Sequence, residues 1–166
     1  MNNSSLDKLI SEIKIIGWKN IKENSYGEEN YNYKFDIIAE RKVILGEWYL
    51  FINNVKVFDK KLLLEYRERF KIINESVKSQ FMGKCFIQGI ICDKISKDLE
   101  DLFEFSSLEE IFKPSNFGVL RIKGGGGRIF LGNRETKKCY GKVPLLPYDV
   151  HKYSKEFKSM ITKYIL

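Results

Sequence analysis

Apolar residues recur along this chain with two periods, and the switches between them outline a fold. Leu6, Leu9, Ile10, Ile13 and Ile16 fall at helical spacing after Ser4 and Ser5, which offer an N-cap, and Gly17 stops the run. Residues 20–33, NIKENSYGEENYNY, are polar and tyrosine-rich and read as a loop or an irregular edge strand. KFDIIAERKVI then alternates as a strand does, with Phe35, Ile37 and Ala39 to one side and Asp36, Ile38 and Glu40 to the other. Gly46 marks a turn, and EWYLFI begins a second strand. From Lys60 to about Phe81, a stripe of Leu62, Leu63, Tyr66, Phe70, Ile73 and Val77 predicts a long helix, ended by Gly83.

KCFIQGIIC is a continuous apolar run between turn signals, as expected of a buried central strand. A helix follows over 96–112, with a break at Ser106-Ser107, and Pro114 closes it. FGVLRI, a four-glycine run and RIFLGNRE read as a hairpin, and HKYSKEFKSMITKYIL as a terminal amphipathic helix. The order α-β-β-α-β-α-β-β-α predicts one α/β domain over residues 1–166, a central mixed sheet flanked by helices.

Composition supports a packed domain: 43% of the 166 residues are hydrophobic, with 12 Phe and 9 Tyr. No apolar run approaches the roughly 20 residues that span a bilayer. The N-terminus has neither a basic leader nor a signal-type apolar block, so a soluble, cytoplasmic protein without a membrane partner is expected. The three cysteines, Cys85, Cys92 and Cys139, show no CxxC spacing, which argues against a zinc ribbon or disulfide framework and for buried thiols. His151 is the single histidine, so a His-rich metal site is excluded and a Ser-His-Asp triad would have to use it.

Charge changes the picture more. Residues 113–166 carry 12 Lys/Arg against 3 Asp/Glu, in a chain of net +7, so the basic surplus is entirely C-terminal. Concentrated positive charge attracts polyanions, nucleic acid above all, while a solvated lysine-rich surface is the plainer reading. KGGGGR (residues 123–128) lacks the Gly-Lys-Ser/Thr and the following helix of a Walker loop. It reads as a flexible hairpin tip flanked by Lys123 and Arg128. With Arg134, Lys137 and Lys138 these are the expected nucleic-acid contacts.

Asp36 sits in an apolar strand, where a carboxylate is costly unless paired, bound to a metal or turned to water. In YLFINNVKV, either Asn53-Asn54 forms a I′ turn between two short strands, or the strand is unbroken and Asn54 and Lys56 share a face.

These residues resemble the PD-(D/E)XK, or restriction-endonuclease-like, nuclease superfamily. Its pattern is a helix, a strand carrying Asp, a turn, a strand carrying Glu-x-Lys, a helix, an apolar strand and often a late hairpin. The resemblance makes Asp36 the first acid and puts Asn54-Val55-Lys56 at Glu-x-Lys. It makes Glu12, on the first helix, an auxiliary acid. It implies a restriction-endonuclease-like fold, DNA more than RNA as substrate or partner, and Mg2+ or Mn2+ held by Asp36 and Asn54. Lys56 would face the scissile phosphate. Asparagine is neutral and lowers affinity for the ion. Three outcomes stand open: weak cleavage with Glu40 or Glu47 as second acid, binding without cleavage, or a plain turn at Asn53-Asn54. A different class, an interaction or assembly protein using its aromatic surplus, and a homodimer, also fit the sequence.

Overall fold

Asn53 and Asn54 lie inside a strand, β3, which runs unbroken from Gly46 to Phe58. The structure, a computed structural model, describes residues 3–29, 32–43, 46–78, 84–112, 127–145 and 148–166. On one side β3 pairs antiparallel with β2 (Lys34–Val43), from Val43↔Gly46 to Ile37↔Ile52. On the other it pairs parallel with β4 (Lys84–Ile95), through Asn53↔Ile90 and Asn54↔Ile91. A I′ turn needs positive φ at both central residues, and neither asparagine has it. The turn reading is therefore excluded.

The fold is α/β, with a six-stranded mixed sheet whose spatial order follows the chain. Helix α1 (Asn3–Ile15) begins at Asn3, so Ser4 and Ser5 fall in its first turn rather than ahead of it. It ends in paired bonds, Trp18 N to Ile13 O and Gly17 N to Lys14 O, with Gly17 at φ 90°. That left-handed residue is what a glycine permits cheaply. β1 (Lys19–Tyr26) is the irregular edge strand allowed by the polar segment; Asn20 and Asn24 have positive φ and the register slips between Lys19 and Lys22. Such kinks blunt an exposed edge.

Helix α2 (Lys60–Lys78) is capped by Asp59, whose Oδ1 accepts from Leu62 N at 2.9 Å. The expected break at Ser106-Ser107 separates α3 (Lys97–Phe105) from α4 (Leu108–Ile111), where Ser107 and Glu110 form a capping box. β5 (Gly127–Asn133) then pairs parallel with β4, and β6 (Lys138–Tyr140) antiparallel with β5. A late hairpin thus joins β5 and β6 through residues 134–137; the expected one about the glycine run falls largely outside the described residues. FGVLRI and Lys123 lie outside the described residues, and Arg128 sits within a strand rather than at a tip. α5 (Tyr148–Ile165) closes the chain. Among the described residues no helix is long and apolar enough to cross a membrane.

Alternate residues of the central strands feed two cores. Phe51, Phe86, Ile90 and Ile129 pack with Tyr66 and Phe70 of α2 and with Leu99 and Leu108 of α3 and α4. Leu50, Ile52, Ile87, Ile91 and Phe130 pack with Leu9 and Ile13 of α1 and with Phe157 and Ile161 of α5. The sheet is thus the middle of three layers. Strict alternation fails at the start of β2, where Phe35 and Ile38 share the first core while Ile37 faces the second, and at the ends of β3 and β4, where Phe58 and Ile95 join the first core.

Helix α5 lies close on the sheet because β4 offers Gly89 beneath it: a Cβ there would stand 2.5 Å from Cζ of Phe157. Gly127, the last of the four glycines, is likewise pressed by Phe86 and Phe70, so packing explains it without any phosphate. Overpacking a filled core costs about 1–3 kcal/mol. Gly89→Ala should therefore lose roughly that much in urea denaturation at unchanged m-value; full retention of stability would mean that Phe157 moves aside freely.

Candidate functional site

At the carboxyl ends of the parallel strands β3, β4 and β5 the sheet forks. The β2–β3 ladder stops at Ile37↔Ile52, while the β1–β2 ladder continues to Phe35↔Ser25 and Tyr26↔Lys34. Side chains take over in the gap. Oδ2 of Asp36 accepts the Asn54 backbone N–H at 2.6 Å, and Nδ2 of Asn53 donates to the Lys34 carbonyl at 3.2 Å. Asp36 and Asn54 are thus brought together, but through a carboxylate and a backbone amide, not through two converging side chains.

The Asn54 side chain points elsewhere. It shares a row with Ile91 and Gly132, on the face covered by α5. There its Oδ1 accepts from the Arg134 guanidinium at 3.0 Å. The same guanidinium forms an ion pair with Asp93 at 2.8 Å and stacks 5.4 Å from the Tyr164 ring centroid. Arg134 is positioned by backbone bonds of its own, Arg134 N to Cys92 O and Glu135 N to Asp93 O, which carry the β5 pairing one step past Asn133. The edge thus holds a cation, clamped by an amide, a carboxylate and a ring.

The other expected residues divide. Lys56 is exposed at this edge, two residues beyond Asn54. Glu12 is engaged by Lys163 of α5 at 2.8 Å. Lys137 Nζ donates to the Ile165 carbonyl at 2.8 Å, tying the β5–β6 turn to the end of α5. Lys138 is exposed. Arg128 is half-buried, donates to the Gly127 carbonyl, and burial lowers its pKa. His151 Nδ1 lies 2.7 Å from the Pro144 carbonyl. Asp93 and Tyr164 were not anticipated. The usable signal for Asp93 was its place directly after the buried run that ends at Cys92, near the carboxyl end of a parallel strand, where open α/β sheets gather ligands. Nothing in sequence separated Tyr164 from the apolar face of its helix.

A divalent ion such as Mg2+ or Mn2+ prefers several oxygen ligands carrying negative charge. Here one carboxylate, Asp36, gives an oxygen to a backbone amide, and the neutral Asn54 gives its own to a guanidinium. That donor set does not fit such an ion.

No family model matches the chain, and no curated protein matches it. Its structure overlaps a crystal structure of a protein of unknown function, AF1548, at a TM-score of 0.32 and 14% identity, over 61% of this chain and 54% of that one. The chain thus spans about half of that protein's length, and so loose a likeness carries nothing about fold or activity.

Removing the Asp36 acceptor leaves a partly buried N–H unmet, at a cost of about 1–3 kcal/mol. Asp36→Ala should be destabilised by that amount and Asp36→Asn by less, since its carbonyl can still accept; equal losses in thermal melts would refute the bond. The thiols give a second expectation. Burial pushes Cys92 up to about 12 and Cys139 up to about 11. Folded values above the unfolded one mean full stabilisation below about pH 8.5, lost as pH rises through the folded values. Urea denaturation should show stability falling from about pH 9 towards 11; a flat profile would contradict it.

Proposed function

We propose that this protein binds nucleic acid, DNA before RNA, on a restriction-endonuclease-like frame, and that it binds without cutting. One observation carries the reading: a guanidinium, Arg134, lies against Asn54 at the edge where the resemblance would put a metal ion. The element order supports it, with Asp36 on one strand and Asn54-Val55-Lys56 on the next, then a helix, an apolar strand and a late hairpin. The meeting of Asp36 and Asn54 across the fork supports it further.

Charge and proton chemistry then separate binding from cleavage. A guanidinium matches a phosphate in charge and shape, and Lys56 is exposed two residues beyond Asn54. It cannot lower the pKa of a bound water to make hydroxide near neutral pH, which is what a metal ion supplies in phosphodiester hydrolysis.

The test is a titration of labelled single- and double-stranded DNA and RNA at two salt concentrations, with Mg2+, Mn2+ or EDTA. Binding should weaken with salt, persist in EDTA and yield no cleaved product. Arg134→Ala should weaken it about tenfold, the loss of one charge-assisted contact. Metal-dependent cleavage that vanishes in Asp36→Ala would overturn binding without cutting and restore Asp36 as a metal ligand. Absence of any affinity would favour an interaction or assembly protein.

A further inference from the structure

Helix α5 turns Phe157, Met160, Ile161 and Ile165 into the second core. Its other side carries a groove of about 480 Å3 lined by Lys155, Lys158, Ser159, Thr162 and Lys163, with the apolar Val143 and Leu166 completing it. The spacing brings these residues onto successive turns of one face. Lys155 is exposed, and Lys158 donates to the Gly141 carbonyl at 2.6 Å, which holds the wall of the groove in place. Lys163 is 68% exposed and meets the Glu12 carboxylate of α1 at 2.8 Å. Glu156, on the same helix, is turned aside to Arg41 at 3.1 Å.

We infer that this groove takes the phosphodiester backbone of the nucleic acid, with Lys155 and Lys163 as its direct contacts. The inference rests on the nucleic-acid reading above and says where the polymer lies. Three lysines face one carboxylate, and an exposed ion pair such as Lys163–Glu12 is worth little, so a phosphate displaces it readily. Hydroxyls supply neutral partners: Ser159 is exposed, and Thr162 donates to the Lys158 carbonyl while its oxygen remains an acceptor. From Lys155 to Lys163 the helix rises about 12 Å, which spans about three phosphates of one duplex strand. The groove also leads to the forked edge, since Tyr164, the next residue, stacks on Arg134. The β5–β6 turn is a poorer surface, because its Lys137 is already spent on the Ile165 carbonyl.

The experiment compares two variants of equal charge in the full chain. Lys155→Gln with Lys163→Gln removes two lysines from the groove. Lys61→Gln with Lys97→Gln removes two exposed lysines from α2 and α3, on the opposite face of the sheet. Fluorescence anisotropy with labelled duplex and single-stranded DNA, across a salt series, reads affinity and the slope of log K against log salt. The groove variant should bind at least tenfold more weakly, with the slope reduced by about 1.8 on duplex and about 1.4 on a single strand. The control should stay within twofold of the unaltered protein. Equal losses in both variants would overturn the groove and leave nucleic-acid binding standing as an effect of diffuse charge. An unaltered protein that binds no polymer would overturn both readings together.

Discussion

Strand β3 is paired with β4 through Asn53 and Asn54, with β2 as far as Ile52, and packed on both faces, and that constraint dictates the rest of the molecule. A strand held this way cannot turn, so Asn53 and Asn54 must point to opposite sides of the sheet. Asn53 shares its row with Ile90 and Leu131 of the first core. Asn54 shares its row with Ile91 of the second. Two polar side chains in this position each need a partner, since an unpaired buried amide is expensive. One reaches Lys34 across the fork and the other reaches Arg134. The satisfaction is incomplete: Oδ1 of Asn53 and Nδ2 of Asn54 are buried without protein partners. A packing role alone would be better filled by apolar residues, and the pair stands out for that reason.

Charge balance at the edge follows from that placement. Had residue 54 been a carboxylate, Arg134 would meet two acids, Asp93 and its neighbour, and its charge would be more than cancelled. With asparagine, one guanidinium faces one carboxylate and a neutral amide, and Lys56 is exposed two residues beyond Asn54. Glu135 adds an exposed acid in the same turn, while Asp36, on the far side of β3, is occupied with the ladder. The asparagine and the arginine are therefore best understood together: each makes the other tolerable.

The layers and most elements were legible in the sequence because they rest on periodicity. The apolar run through Phe86 to Cys92, the stripe of α2 and the serine break between α3 and α4 each carry a local signal that tertiary context did not override. Of the glycine run, only Gly127 is described, and it lies in a strand. Four glycines advertise a turn, yet Gly127 is small because Phe86 and Phe70 press on it, and close packing leaves the same mark on a sequence as a turn does. The site was half legible. Asp36, Asn54 and Lys56 stand on adjacent strands, as the resemblance implied. Arg134, 80 residues from Asn54, is joined to it only by sheet order. No pattern along a chain records that β5 follows β4 in the sheet.

Helix α5 connects the two places where charge gathers. Its inner face seals the second core, its last turn carries Lys163 and Tyr164 side by side, and the turn after β5 is fastened to its final carbonyl by Lys137. A polymer lying in the groove would press on the same helix that positions Tyr164 against Arg134. On the nucleic-acid proposal, binding along α5 would then be coupled to order at the forked edge through one helix. Such coupling needs the helix to stay seated, and Gly89 under Phe157 is what allows it to sit so close. The glycine that fixes the packing of the core thereby also fixes the distance between groove and edge.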